Sequence, residues 1–260
     1  MQCRLSCPGA EREKFSVTKY LSRRNEFFPL ESAGSVRHSQ SSALTDNPHL
    51  LYYPGYQLKL EWTPSTLKID LYLSMEKKKI LIITGDAGES YETLYAIHRF
   101  MEADYLPVIA SNKVKSLNLV IHEMEPGWDT YRESPGYRVS SDIVFKDVNV
   151  TDYEAVLLIG GRAPEFLRHD PMVIKIVQEF ESTGKFVFAI CHGIQILTVA
   201  GLVKNKKVTC YEHVHSEAVA YGGQYSNKTE AVRDGKLVTG QTWQSHPEFY
   251  KLVFECLNGN

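Results

Sequence analysis

Residues 186–195 read Phe186-Val187-Phe188-Ala189-Ile190-Cys191-His192-Gly193-Ile194-Gln195. The first five are all apolar, the short continuous run expected of a strand buried on both faces. Residues 193–200 then have the pattern of a helix, closed by Gly201. A cysteine stands where the strand turns into the helix. Such a turn lifts a side chain above the sheet as a nucleophile elbow does, and Gly193 lets chain and substrate come close. The N-terminus of the following helix carries unpaired N–H groups and a positive dipole end, which favour the reactive thiolate. A structural cysteine after a strand is the plainer reading, but Cys-His-Gly at this junction favours catalysis. His192 either shuttles protons, for which an imidazole pKa of about 6.5 is suited, or simply packs beside the elbow.

The same rhythm extends to either side. Residues 79–84 form an apolar run broken by Gly85-Asp86-Ala87-Gly88, and residues 91–102 follow with Leu94, Ile97, His98 and Met101 on one helical face. Residues 106–110 and 156–159 read as further strands, the latter broken by Gly160-Gly161. Asp170 is an N-cap and Pro171 the first helical residue of a helix ending at Gly184, with Val173, Ile174, Val177 and Phe180 as its stripe. Strands alternating with helices predict βαβ units and a mostly parallel sheet covered on both faces. Residues 122–137 break this rhythm with Pro126-Gly127, Trp128, Tyr131 and Pro135-Gly136, and read as an inserted loop or hairpin. Trp128 and Tyr131 either close over the crevice or pack the insert onto the sheet.

The chain has 260 residues, 43% of them hydrophobic, a net charge of −2 and five cysteines. That balance gives no reason to expect a nucleic-acid or membrane partner. No stretch approaches the roughly 20 apolar residues of a bilayer span. Scattered and odd in number, the cysteines argue against a disulfide framework and for a reducing, cytoplasmic setting. Residues 1–74 are rich in Ser, Arg, Pro and Tyr, and only 58–72 alternate. They read as an N-terminal extension with little structure of its own, for which a transit segment stays open, ahead of a catalytic domain at 75–260.

Ligands in an open α/β sheet bind outside the carboxyl ends of the strands. The ends at Thr84, Ile159 and Ile190 therefore share one crevice, where N–H groups near Gly161 and His192 would form an oxyanion hole. Two acids follow the first strand. Glu89 reads as a helix cap; Glu92 reads as the functional carboxyl, kept protonated by burial near the thiol. His213 and His215 hint at a metal, but no cysteine or acid completes a ligand set. Cys210 and Cys256 read as inert.

Gly160-Gly161-Arg162-Ala163-Pro164-Glu165, Ala189-Ile190-Cys191-His192-Gly193 and Tyr91-Glu92-Thr93 together resemble the DJ/PfpI superfamily, in the family's order and at similar spacing, from about Lys77 to the C-terminus. His122, the Thr130-Tyr131…Pro135-Gly136-Tyr137 insert and Asp142…Phe145 are similar to the PfpI-type branch that includes plant glyoxalase III-like proteins. The resemblance implies a flavodoxin-like three-layer α/β/α sandwich assembling as dimers or hexamers. It implies Cys191 as nucleophile, Glu92 as the carboxyl bonded to it, His192 as the following histidine, and Glu165 as an acid reaching a histidine from a neighbouring subunit. Gly160, Gly161, Gly193 and His122 complete the expected substrate and oxyanion site.

Three chemistries follow. The first is a glutathione-independent glyoxalase or related deglycase without a cofactor, in which Cys191 attacks a small aldehyde such as methylglyoxal. The second is peptide or amide hydrolysis by the same Cys-His-Glu set. Within it, Ser245-His246-Pro247-Glu248 resembles the end of class I glutamine amidotransferases, although Cys-His-Gly departs from their elbow and a helix start explains the Pro and Glu equally well. The third is a redox-sensing chaperone using oxidation of Cys191.

Overall fold

The computed structural model describes residues 49–53, 56–63, 66–73 and 77–259. The chain divides into two compact units, Met1–Glu76 and Lys77–Asn260. In the first, β1 (His49–Tyr53), β2 (Tyr56–Thr63) and β3 (Thr66–Leu73) form an antiparallel sheet in that order. The alternating stretch falls on β2 and β3, whose register pairs Leu58 with Leu71, Leu60 with Ile69 and Trp62 with Leu67. Strand pairing is thus present in part of the segment read as an extension; residues 1–48 lie outside the described residues.

The second unit begins with β4 (Lys79–Ile83), α1 (Ser90–Glu102) and β5 (Leu106–Ser111). A hairpin of β6 (Ser116–Met124) and β7 (Tyr131–Ser140) follows, then β8 (Ile143–Val144) and β9 (Tyr153–Leu158). Next come α2 (Ala163–Leu167), α3 (Pro171–Ser182), β10 (Phe186–Ile190) and α4 (Ile194–Ala200). The chain closes with β11 (Lys207–Val208), α5 (His215–Ala220), β12 (Gln224–Tyr225), β13 (Ala231–Asp234), β14 (Leu237–Gly240) and α6 (His246–Leu257).

Among the described residues the main sheet has seven strands in the order β13-β14-β10-β9-β4-β5-β8. All its pairs are parallel except β13 with β14, at one edge. The central strands are buried because their sequences are apolar on both faces: Ile80, Leu81, Ile82, Ile83, Leu157, Leu158 and Phe188 are fully enclosed. Counting β4, β5, β9, β10 and β14 as first to fifth, the order is 2-1-3-4-5, the flavodoxin-like arrangement, with its switch point between β4 and β9. The chain steps one way from β4 to β5 and the other way from β9 to β14. Right-handed crossovers then place α1 and α3 on opposite faces. This is the three-layer sandwich expected from the sequence.

Local chemistry sets the helix ends. Asp170 accepts a hydrogen bond from the Met172 N–H at 2.9 Å, with Pro171 at the first position of α3. Gly201 ends α4 in the left-handed region, φ +79°. The insert is the hairpin. It docks on the turn after β4 because Val120 N–H donates to Gly88 O at 2.9 Å and Tyr137 N–H to Ser90 Oγ at 3.0 Å. Gly136 permits that approach, since a Cβ there would lie 2.8 Å from Ser90 Cβ.

Replacing Asp170 by Ala is expected to lower stability by about 1 kcal/mol through loss of the cap. Phe188→Ala, in the sheet centre, is expected to cost about 3–5 kcal/mol. Urea unfolding of both variants beside wild type measures the difference.

Candidate functional site

β10 delivers Cys191 in the left-handed region, φ +58°, a conformation that strains a residue with a side chain. One turn of tighter helix, Cys191–Gly193, separates the strand from α4. The elbow fits only because two neighbours have no side chain. A Cβ on Gly160 would lie 2.5 Å from Cys191 Cβ, and one on Gly193 would lie 2.5 Å from Leu158 O. Gly161 is required for a further reason: it has φ +76°, and a Cβ would meet Ala87 O and Glu89 N at 2.4 Å.

Around the sulfur, Cys191 Sγ lies 3.3 Å from His192 Nδ1. The backbone N–H groups of His192 and Gly161 lie near enough to the sulfur to favour its anion. They are the two donors that the sequence singled out for an oxyanion hole. Yet Cys191 is only 5% exposed. Burial first, and then the Glu92 carboxyl, push the thiol well above its ordinary range. The thiolate expected from the helix terminus is therefore opposed by desolvation, which outweighs the two N–H groups.

Glu92 comes from the first turn of α1 and is fully buried. Its Oε2 accepts a hydrogen bond from Gly160 N–H at 2.8 Å. Oε1 is buried without a partner, and the Cys191 thiol is a polar neighbour of this carboxyl. Burial, then the nearby Glu89 carboxylate, push Glu92 up to about 8, so it is protonated at neutral pH. Glu89 is the N-cap of α1, accepting from Glu92 N–H at 2.6 Å. Glu89 thus caps the helix, and Glu92 is the acid that faces Cys191.

His192 is buried and pushed down to about 4 by desolvation and by the neighbouring His122 and His213. It is a neutral imidazole near pH 7. No carboxylate bonds to it among the described residues. Glu165, on α2, is exposed, and its carboxylate has no hydrogen bond or ion pair among the described residues. Within one chain, Glu165 and His192 are not brought together. Glu165 lines an open groove of about 560 Å³ with Asp86, Asn112, Arg162, Phe166 and His169.

The hairpin supplies a second tier. His122 Nε2 contacts Glu133 Oε2 at 3.0 Å, and Arg162 grips Glu133 with two bonds of 2.8 and 2.7 Å. Tyr131 stacks on His122 with ring centroids 3.8 Å apart and stands edge-on to His192 at 6.0 Å. Tyr211 lies 5.1 Å from His192. Trp128, at the hairpin tip, is 57% exposed. Glu133 and Tyr211 were not singled out in the sequence. Glu133 was legible only as the cross-strand partner of His122 in the hairpin register.

The other candidates lie elsewhere. His246 is buried, stacked on Tyr95 at 4.4 Å, with both ring nitrogens unpartnered. Tyr91, Tyr95 and Tyr250 surround it; the imidazole beside Cys191 is His192. His213 bonds to Asp129 O at 3.2 Å and His215 stacks on Tyr225. Among the described residues no three His, Cys, Asp or Glu side chains gather into a metal-holding group. Cys210 and Cys256 are buried free thiols. Among the described residues no helix is long and apolar enough to cross a membrane.

Comparison with known proteins gives the family. Residues 78–256 match the model of the DJ-1/PfpI family. Protein DJ-1 homolog D of Arabidopsis thaliana is 38% identical over 189 residues, which cover 69% of this chain and 48% of that protein, so the chain spans about half its length. Deglycase PfpI of Pyrococcus furiosus is 33% identical over 179 residues, covering 67% of this chain and 99% of the relative. The crystal structure of Drosophila melanogaster DJ-1beta superposes with a TM-score of 0.58 at 22% identity, covering 71% of this chain and 92% of that one, which supports the fold. With its elbow cysteine, its paired glycines and its buried acid in one crevice, the chain belongs to the DJ-1/PfpI family.

Proposed function

We propose that this protein is a cofactor-independent cysteine enzyme that converts reactive aldehydes, with methylglyoxal as the model substrate, to 2-hydroxy acids. The observation that carries the reading is the Cys191 sulfur, held against a neutral carboxyl, an imidazole and two backbone N–H donors. As sulfur bonds to the aldehyde carbon, the thiol proton passes to His192 Nδ1. The carbonyl π electrons move to oxygen, where the N–H groups of Gly161 and His192 receive the charge. Loss of the aldehyde proton from carbon gives an enediolate, and reprotonation of the adjacent carbon gives the thioester of a 2-hydroxy acid. Water adds to that thioester, releasing the acid and restoring the thiol. Methylglyoxal plus water becomes lactate, with no electrons gained or lost overall. The same attack on the carbonyl of an early glycation adduct would make the protein a deglycase, the activity named for its Pyrococcus furiosus relative.

Neutral Glu92 is the acid of this scheme and His192 the base. An imidazole pushed down to about 4 is a weak base. A carboxylate from outside the chain would raise it, and exposed Glu165 beside an open groove is the group available on a second copy. The working form on this reading is a homo-oligomer in which Glu165 of one copy meets His192 of another.

Purified protein is expected to consume methylglyoxal and yield lactate without glutathione, and Cys191→Ala to abolish this. Hydrolysis of fluorogenic peptides with no aldehyde consumption would replace this reading with a peptidase. Glu165→Gln is expected to lower kcat with little change in KM; an undiminished kcat in a dilute monomer would remove the shared site.

Glu92 ionises near 8 in the folded chain against an ordinary value of 4.5. Between those values the folded state keeps a proton that the unfolded chain has lost, so stability declines as pH rises from 4.5 to 8 and is level above that. The kinetic counterpart is a fall in kcat/KM as pH rises through 8. Glu92→Gln is expected to flatten the stability slope and to lower kcat by about 10²-fold. Denaturant unfolding and initial rates across pH 5–9 on the order of one unit apart test both.

A further inference from the structure

Several of the polar side chains on the hairpin side of His192 are already engaged. His122 is held by Glu133, His213 by the carbonyl of Asp129, and the Tyr211 hydroxyl by Thr130 Oγ1 at 3.4 Å. The Tyr131 hydroxyl makes no hydrogen bond to any described residue. Its ring is fixed from three sides: stacked on His122 at 3.8 Å and 21°, edge-on to His192 at 6.0 Å and 85°, and tilted against Tyr211 at 5.5 Å and 54°. A phenol so firmly oriented, with its one polar atom free, is a preformed donor.

Its position relative to the nucleophile gives the donor a use. Tyr131 is within electrostatic reach of the Cys191 sulfur, and the imidazole it touches is the one 3.3 Å from that sulfur. The oxygen on the attacked carbon has the N–H groups of Gly161 and His192. An oxygen on the next carbon needs a donor of its own, because a carbonyl that gives up its water on binding is disfavoured when it is left unpaired. We propose that the Tyr131 hydroxyl donates to the oxygen on the substrate carbon adjacent to the one Cys191 attacks, and so selects 1,2-dicarbonyl compounds over simple aldehydes. This deepens the aldehyde reading above and rests on Cys191 attacking a carbonyl. As the proton leaves the attacked carbon, negative charge develops on that second oxygen, and the donor strengthens its hold at that moment. Burial and the surrounding charges keep the phenol protonated far above neutral pH, so it is a donor and not a base.

Tyr131→Phe keeps the ring and its stack and removes only the hydroxyl. Two measurements on the full chain test the assignment. The first is turnover: kcat/KM for methylglyoxal is expected to fall about 10²-fold, the usual loss for one oxyanion donor. The alkylation rate of Cys191 by iodoacetamide in the absence of aldehyde is expected to stay unchanged, which separates a lost substrate contact from a disturbed elbow. The second needs no turnover: protection of Cys191 from iodoacetamide by methylglyoxal and by propanal, which has the same carbon chain without the second oxygen. Wild type is expected to be protected at lower concentrations of methylglyoxal than of propanal, and Tyr131→Phe to narrow that difference while propanal protection stays the same. Equal loss of protection by both aldehydes, no loss for either, protection by neither, or unchanged kcat/KM overturns the proposal. Wild type that shows the Tyr131-dependent difference but makes no lactate would overturn the enzymatic reading and leave this one standing.

Discussion

Gly160 has room for a hydrogen and for nothing larger. A Cβ at this position would lie 2.5 Å from Cys191 Cβ, 2.7 Å from Glu92 Oε2 and 3.1 Å from Cys191 Sγ. Three segments from different parts of the chain meet there: the end of β9, the elbow after β10 and the first turn of α1. The meeting occurs at the switch point between β4 and β9, where the crossovers diverge and leave the carboxyl ends of the strands uncovered. The Gly160 N–H then fixes one Glu92 oxygen at 2.8 Å, and the other is buried without a partner. The fold thus places the acid by a backbone hydrogen bond rather than by a second side chain. Displacement of β9 would move nucleophile, acid and donor together.

The resulting site is electrically neutral at rest. Burial raises both Glu92 and Cys191 and lowers His192, and each shift discourages a charge that the chemistry needs in passing. Such a site holds its charges only when substrate arrives to share them. The neutral acid can give a proton at neutral pH, which an ordinary exposed glutamate cannot. The cost falls on the base: an imidazole this strongly desolvated takes a proton poorly without a carboxylate beside it. Arg162 in the second tier is bound by Glu133 in a bidentate pair. The donors in the crevice therefore carry no net charge, which is consistent with the uncharged carbonyl substrate proposed above.

The sequence made legible what is encoded locally. The apolar runs of β4, β9 and β10, the Asp170-Pro171 cap, the Gly201 stop and the elbow each depend on residues within a few positions of one another. Glu89 and Glu92, three apart, were separable because a helix start needs a cap and its first turn faces inward. What depends on chain segments far apart was less visible. Residues 122–137 read as an inserted loop or hairpin, and they lie in a hairpin whose strands run on to Ser116 and Ser140. His122 and Tyr131 in fact sit on β6 and β7, and Glu133 opposite His122 was not singled out. Tyr211, 20 residues beyond the nucleophile in a segment with little periodicity, gave no signal. The charge state of the sulfur also escaped sequence reasoning, because a helix terminus is visible in a sequence and the depth of burial is not.

Glu165 ties these levels together. It lies in the same short stretch as Gly160 and Gly161, yet its side chain leaves the crevice those glycines build and ends at an exposed groove beside Phe166, which is 65% exposed. A charged group and a large apolar ring side by side on a five-residue helix are poorly explained by the needs of one folded chain, which would bury the phenyl ring and leave the acid in water. They suit the shared site proposed above, in which a second copy covers this surface. On that reading the carboxylate and the weakened imidazole lie on two chains, and association would complete a base that burial alone weakens.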